Sequence, residues 1–280
     1  MTNGEYLNYA TRLLESASIE TARLDSLILM EFTLGIDRAK ILAELDGKIT
    51  FQQKNVLNKI LSKRAKHVPI SQIVHNTEFY GRSFYINRYV LEPRPESETI
   101  IDVLKSLLDT DKGLSMLDHI KIADVGTGSG ALGITAYLEL DNPQVDLIDI
   151  DSEALKVAKR NVVLHTIDCR VIQADLLPKK VEEYDILLCN LPYVPDDFKI
   201  NLAAGHEPSI AIFGGKDGLD IYRKLFNLVT IRQHRPLYIL SESLPPSHKD
   251  MVRLAGKAGY RLELTDDFIQ AFKLERIQEL

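Results

Sequence analysis

Asn190-Leu191-Pro192-Tyr193 is the stretch of this chain best equipped to hold a reacting group. An Asn side chain offers a carbonyl acceptor and two N–H donors. The Tyr193 ring offers a flat face for stacking, and Pro192 stiffens the turn before it. Together they suit a planar group that carries an NH2, such as a carboxamide or an adenine. The stretch follows Ile186-Leu187-Leu188-Cys189, an apolar run too short for a typical helix and suited to a buried strand. Pro192 has no N–H and a fixed φ, so it cannot continue that strand. Ligands of open α/β sheets bind at such strand ends. A strand that merely ends in a polar turn would look alike, so the rest of the chain has to decide.

A second constellation is Gly126-Thr127-Gly128-Ser129-Gly130. Glycines allow tight turning and close backbone approach to a ligand. Alone the loop is weak evidence. Here it follows an apolar strand over 120–125 and precedes a helical segment over 131–138, the order expected of a nucleotide-like cofactor site. Asp149 stands about 20 residues further on, at the end of a second strand, where a carboxylate takes ribose hydroxyls. Asp151 or Ser152 is a natural N-cap of the next helix, so Asp151 can serve as a cap alone and Asp149 is the chosen ligand. A third strand over 170–173 ends in Ala174-Asp175-Leu176, a polar and an apolar residue that suit the edge and face of an adenine.

These sites need elements to hold them. Strands over 120–125, 145–150, 170–173, 186–189 and 236–240 alternate with helical segments, which implies a mostly parallel sheet covered on both faces. Leu262-Glu263-Leu264 and Phe272-Lys273-Leu274 read as closing strands. Residues 5–67 read as a small helical bundle. Tyr6, Ala10 and Leu14 lie on one helix, and Leu27, Met30 and Leu34 on a second closed by Gly35. Ile41 and Leu45 lie on a third, and Val56, Ile60 and Leu61 on a fourth capped by Thr50. This bundle is either a packing module or a docking domain. Residues 70–74, 79–81 and 83–86 read as short strands of a hairpin. The stiff Pro93-Arg94-Pro95 segment then serves as a linker or as a wall of the active site, before a helix begins near Glu96.

The 45% hydrophobic and 26% charged fractions are those of a globular protein, and no apolar run reaches the length of a membrane span. A net charge of −6 argues against nonspecific grip on nucleic acid. Cys169 and Cys189 are expected to be structural thiols of a reducing cytoplasm, no secretory signal is visible, and no Cys/His cluster has zinc spacing.

With these motifs in place, the chain resembles the HemK/PrmC family of protein-glutamine N5-methyltransferases over nearly its whole length. Leu91-Glu92-Pro93-Arg94-Pro95-Glu96-Ser97-Glu98 looks like the family's L-I-P-R-P-E-T-E, and Glu207-Pro208 with Gly214-Gly215-Lys216-Asp217-Gly218-Leu219 is equally specific. The resemblance implies an α/β fold: a seven-stranded, Rossmann-like class I methyltransferase domain over 96–280. It also implies a helical docking domain over 1–68 and a β-hairpin linker over 69–95. It implies S-adenosylmethionine as methyl donor, with S-adenosylhomocysteine as product. Gly126, Thr127, Gly128, Ser129, Gly130, Asp149, Asp175, Leu176 and Asn190 would then bind it. Asn190, Leu191, Pro192 and Tyr193 would hold the glutamine of a class 1 peptide-chain release factor's Gly-Gly-Gln loop, with no metal, nucleic acid or membrane involved. Rival readings are a ribosomal-protein glutamine methyltransferase, an adenine N6-methyltransferase and a non-catalytic cofactor-binding protein.

The chain departs from the family's pattern in three places. Glu242-Ser243-Leu244 replaces the usual Glu-x-Gly, His75-Asn76 replaces a hairpin glycine, and Leu191 replaces a proline. An amide nitrogen is a poor nucleophile, and in the family picture two acceptors aim it: the Asn side-chain oxygen and the next residue's carbonyl. Leu191 still supplies that carbonyl, and Pro192 still biases it toward extended geometry. Releasing one φ constraint costs about 0.4–1 kcal/mol. Restoring proline (L191P) is therefore expected to raise the methyl-transfer kcat by at most about 2- to 5-fold. A rise of several hundredfold in the same assay would mean that the ring does more than fix one angle.

Overall fold

The computed structural model describes residues 1–179 and 183–275. Residues 276–280, the end of the domain expected over 96–280, lie outside the described residues, as do 180–182. The chain folds as two compact units, one of residues 1–76 with 200–206, the other of 77–199 with the chain from 207 on.

The first unit is helical: α1 (Asn3–Ser16), α2 (Ala22–Leu34), α3 (Arg38–Ala43), α4 (Phe51–Arg64) and α5 (Ile70–Val74). Thr2 with Glu5 caps α1, and Thr50 with Gln53 caps α4, each side chain meeting the other's backbone N–H. Tyr6, Ala10, Leu14, Met30, Ile41, Leu57, Ile60 and Leu61 share one core. Two expected core positions face solvent instead. Leu45 lies beyond the end of α3, and α4 buries Leu57 rather than Val56.

Residues 70–74, expected as a strand, form α5. A short apolar run does not distinguish the two, and Pro69 at the N-cap together with burial of Ile73 in the helical core decides for helix. His75 closes α5 in the left-handed region, so the missing glycine belongs to a helix cap and not to the hairpin.

The second unit begins with the hairpin β1 (Thr77–Phe79) and β2 (Arg82–Phe84). After a short 3-10 turn come α6 (Glu98–Thr110), α7 (Lys112–Ser115), β3 (Lys121–Val125), α8 (Ala131–Glu139), β4 (Gln144–Asp149), α9 (Ser152–Leu164), β5 (Arg170–Gln173) and β6 (Ile186–Cys189). The chain closes with α10 (Asp220–Thr230), β7 (Tyr238–Glu242), α11 (His248–Lys257), β8 (Tyr260–Asp266) and β9 (Ile269–Leu274). Among the described residues one sheet has seven strands in the order β5-β4-β3-β6-β7-β9-β8. β9 is antiparallel to both β7 and β8, and the other pairs are parallel.

Alternation along the strands feeds two cores. Ile186 and Leu188 face the side of α6, α8 and α9, while Leu187 and Cys189 face that of α10 and α11. The expected fifth strand runs two residues further than 236–240 and ends at Glu242. No helix of the described residues is long and apolar enough to cross a membrane.

The contact of α8 with the sheet leaves no room at Gly133. A Cβ there would stand 2.4 Å from a Leu147 methyl and 2.8 Å from Asp124 Cβ. Replacing a helical glycine by alanine normally gains up to about 1 kcal/mol, while overpacking a core costs about 1–3 kcal/mol. Gly133→Ala is therefore expected to lower the urea-denaturation stability by about 1–2 kcal/mol net. A stabilised variant would mean that α8 can lift off the sheet freely.

Candidate active site

Asn190 owes its place to β6. That strand is buried on both faces and lies between β3 and β7, with Cys189 opposite Val125 and Ser241. Sheet pairing ends at Cys189, and Pro192, with no N–H to donate, does not resume it. The Tyr222 hydroxyl binds the ends of both strands, meeting the carbonyls of Cys189 at 2.9 Å and Glu242 at 2.7 Å. It also receives the Leu191 N–H, at 3.4 Å. The Leu191 side chain is buried and fills the space beside Gly126, where a Cβ would stand 2.8 Å from its methyl. The Gly-Gly-x-Asp-Gly turn braces the loop from behind. A Cβ on Gly218 would come within 2.1 Å of the Tyr193 carbonyl, so only glycine fits.

The glycine loop is tied to β4. The Gly126 and Thr127 N–H groups both donate to the Ile148 carbonyl at 2.8 Å. The Gly128 N–H donates to Asp149 Oδ2 at 2.9 Å, and the Asp151 N–H to Oδ1 at 2.9 Å. Burial raises the Asp149 pKa above the usual carboxylate value, against these two donors. Of the two expected caps, Asp151 is the one that caps α9, through the Glu153 N–H. Beneath the loop, Asp124 is buried and accepts from the Thr127 hydroxyl and the Gly133 N–H. Asn161, fully buried, bonds Tyr85 and the Ser129 carbonyl, and so joins the segment after the hairpin to the loop.

One cavity brings most of the expected residues together. Gly126, Thr127, Gly128, Ser129, Asp149, Asp175, Leu176, Asn190, Leu191 and Pro192 line it. Gly130 and Tyr193 do not. Gly130 turns the chain into α8 against Ile134, and Tyr193 is half-buried with its hydroxyl on Glu242 Oε1 at 2.8 Å. The Asp175 carboxylate is paired with Lys224 at the cavity edge. Leu91, Glu92, Pro93 and Ser97 also line the cavity, so the stiff proline segment is a wall of it rather than a bare linker. Arg94 and the Glu92 N–H anchor that wall on Glu207, which is buried and has its pKa raised by that burial.

Sequence reasoning missed Ser97, Tyr222 and Glu242. Asn190 Nδ2 donates to Ser97 Oγ at 2.8 Å, and Ser97 donates to Glu242 Oε2 at 2.6 Å. Glu242 is 1% exposed, and burial raises its pKa against donors from Ser97 and Tyr193. The altered turn after it leaves Glu242 in place, at the end of β7.

Residues 5–74 match the family described as the PrmC N-terminal domain, and residues 101–207 match the methyltransferase small domain. A release factor glutamine methyltransferase of Bacillus cereus is 34% identical over 203 residues, 70% of this chain and 71% of that one. That of Bacillus subtilis is 30% identical over 285 residues, 99% and 92% of the two chains. The chain belongs to the release factor glutamine methyltransferase family. A bifunctional methyltransferase of Rickettsia typhi is 32% identical over 236 residues, 78% of this chain, which spans only 46% of that protein's length. The hMettl16 catalytic domain, solved with a MAT2A 3'UTR hairpin, has a TM-score of 0.55 at 14% identity, covering 79% of this chain and 82% of its own. That likeness shows the shared fold.

In this member of the release factor glutamine methyltransferase family, Asp124 ties the site to stability. Burial pushes its pKa up to about 6 from 3.8, against the Thr127 and Gly133 donors. A raised carboxyl pKa means that the folded state keeps a proton which the unfolded state loses. This group therefore favours folding less as pH rises through that window. Asp124→Asn removes the term. Between pH 5 and 8 its denaturation free energy is expected to gain roughly 1–2 kcal/mol relative to the native protein. A pH-independent gap would place the Asp124 pKa at its ordinary value.

Proposed function

We propose that this protein transfers a methyl group from S-adenosylmethionine to the side-chain amide nitrogen, N5, of the glutamine in the Gly-Gly-Gln loop of a class 1 peptide-chain release factor. The observation that carries this reading is the single cavity shared by the glycine loop, Asp149, Asn190 and Leu191. The residues present fit the cofactor. At Gly128 an added Cβ would meet nothing within 4 Å, so the loop backbone there is open to close approach. Each Asp149 oxygen takes one backbone N–H and keeps lone pairs for ribose hydroxyls. Leu176 adds apolar surface for a base.

When bound, the cofactor supplies an electrophilic methyl on a sulfonium. Asn190 Oδ1 and the Leu191 carbonyl accept the two N–H bonds of the substrate amide and turn its nitrogen toward that methyl. As the new N–C bond forms, the methyl's bond to sulfur breaks and its electron pair stays with the departing S-adenosylhomocysteine; the nitrogen's proton becomes acidic and leaves to water, so no side-chain base is required. Catalysis rests on positioning and exclusion of water. The helices over 1–68 act as a docking domain for a second surface of the release factor, the segment over 69–95 links them to the catalytic domain over 96–280, and the reaction belongs to the cytoplasm, where translation ends. The net charge of −6 disfavours a nucleic-acid substrate.

The test is a radiolabelled methyl-transfer assay on a class 1 release factor, its Gln→Ala variant in the Gly-Gly-Gln loop, and adenine-containing DNA. Label is expected on the intact release factor alone. Asn190→Ala is expected to lower kcat by roughly 100- to 1,000-fold, by analogy with loss of one preorganised polar contact in an active site. Label on DNA, or equal label on the Gln→Ala factor, would overturn the assignment.

A further inference from the structure

We propose that Ser97 and Glu242 are positioning residues that decide which end of the Asn190 amide meets the substrate. This rests on the reading that Asn190 takes a substrate N–H.

The two ends of an Asn amide have nearly the same shape, so packing alone does not choose between them. Hydrogen-bond polarity does. Glu242 is buried at the end of β7, and each of its two carboxyl oxygens accepts from a hydroxyl. Its Oε2 takes the Ser97 hydroxyl at 2.6 Å, and its Oε1 takes the Tyr193 hydroxyl at 2.8 Å. Burial and the neighbouring carboxylate raise the Tyr193 pKa, so its ring stays a neutral O–H donor. Ser97 has one hydrogen, and Glu242 takes it. The Ser97 oxygen can then only accept, and its partner 2.8 Å away is Asn190 Nδ2.

The polarity therefore runs one way: amide N–H to serine, serine O–H to carboxylate. Asn190 is left with its oxygen for the ligand, the end that an incoming NH2 needs. A flipped amide would set its oxygen against a Ser97 lone pair and its NH2 against the substrate NH2. Ser97 sits on the proline-stiffened wall, Asn190 at the end of β6 and Glu242 at the end of β7, so the relay also ties three elements to one geometry.

The experiment uses the full-length chain, with kcat and KM measured by radiolabelled methyl transfer to a class 1 release factor. In parallel, the Asn190 side-chain amide is followed by NMR on 15N-asparagine-labelled protein and assigned by its loss in Asn190→Ala. Ser97→Ala is expected to lower kcat about 10- to 100-fold with KM for S-adenosylmethionine changed less than about 2-fold. Ser97→Thr, which keeps the hydroxyl, is expected to restore it. Glu242→Gln has the same shape but turns one acceptor into a donor, and is expected to lower kcat likewise. The Nδ2 protons should exchange slowly with solvent in the native protein and in Ser97→Thr, and fast in Ser97→Ala. Full kcat in Ser97→Ala or Glu242→Gln, no rescue by Ser97→Thr, or an Nδ2 signal indifferent to Ser97 would each overturn the proposal. The expected NMR pattern in a protein that labels no release factor would support the relay while refuting the assigned reaction.

Discussion

Parallel pairing of β3 with β6 puts Val125 opposite Cys189, and the site depends on that register. The next residue on one strand is Gly126 and on the other Asn190, so loop and amide leave the sheet side by side. The strand order also reverses here, with β4 and β5 on one side and β7 on the other. Two loops diverging from adjacent strand ends open a crevice that neither could form alone. The register is held by burial on both faces, because a slip of one residue would turn Leu187 and Cys189 toward the wrong helices.

Three carboxylates, Asp124 and Glu242 buried and Asp149 partly buried, stand at or beside strand ends, and each holds a loop. Asp124 takes donors from Thr127 and Gly133, Asp149 from Gly128 and Asp151, Glu242 from Ser97 and Tyr193. In all three, burial raises the pKa, which is the mark of a charge moved out of water. Such groups contribute little to net stability. Their unmet lone pairs would be costly, so a loop that strays from its place loses more than one hydrogen bond. The carboxylates thus convert an energetic burden into positional precision around the cavity.

The leucine at 191 illustrates how one departure is absorbed. A proline there could not donate to the Tyr222 hydroxyl, whereas Leu191 does, at 3.4 Å. Its side chain also packs against the space that Gly126 leaves empty. What is lost in ring stiffness is thereby offset by a hydrogen bond and apolar contact. The carbonyl that follows Asn190 remains in the chain, next to a Pro192 that still restricts it.

Local chemistry made much of this protein readable. A short apolar run, a glycine cluster after a strand, an Asp at the next strand end and an Asp at a helix start each act within a few residues, and each is found where its type demands. Residues 70–74 mark the limit of such reading, since five residues of this kind satisfy either period until a core claims one face. The contacts that orient Asn190 were beyond it altogether. Ser97 and Glu242 are 145 residues apart, and Gly218 meets Tyr193 only because the chain folds back between β6 and α10. Which hydroxyl faces which carboxylate is set by strand register and by the packing of distant loops, and neither leaves a periodic trace in the order of amino acids.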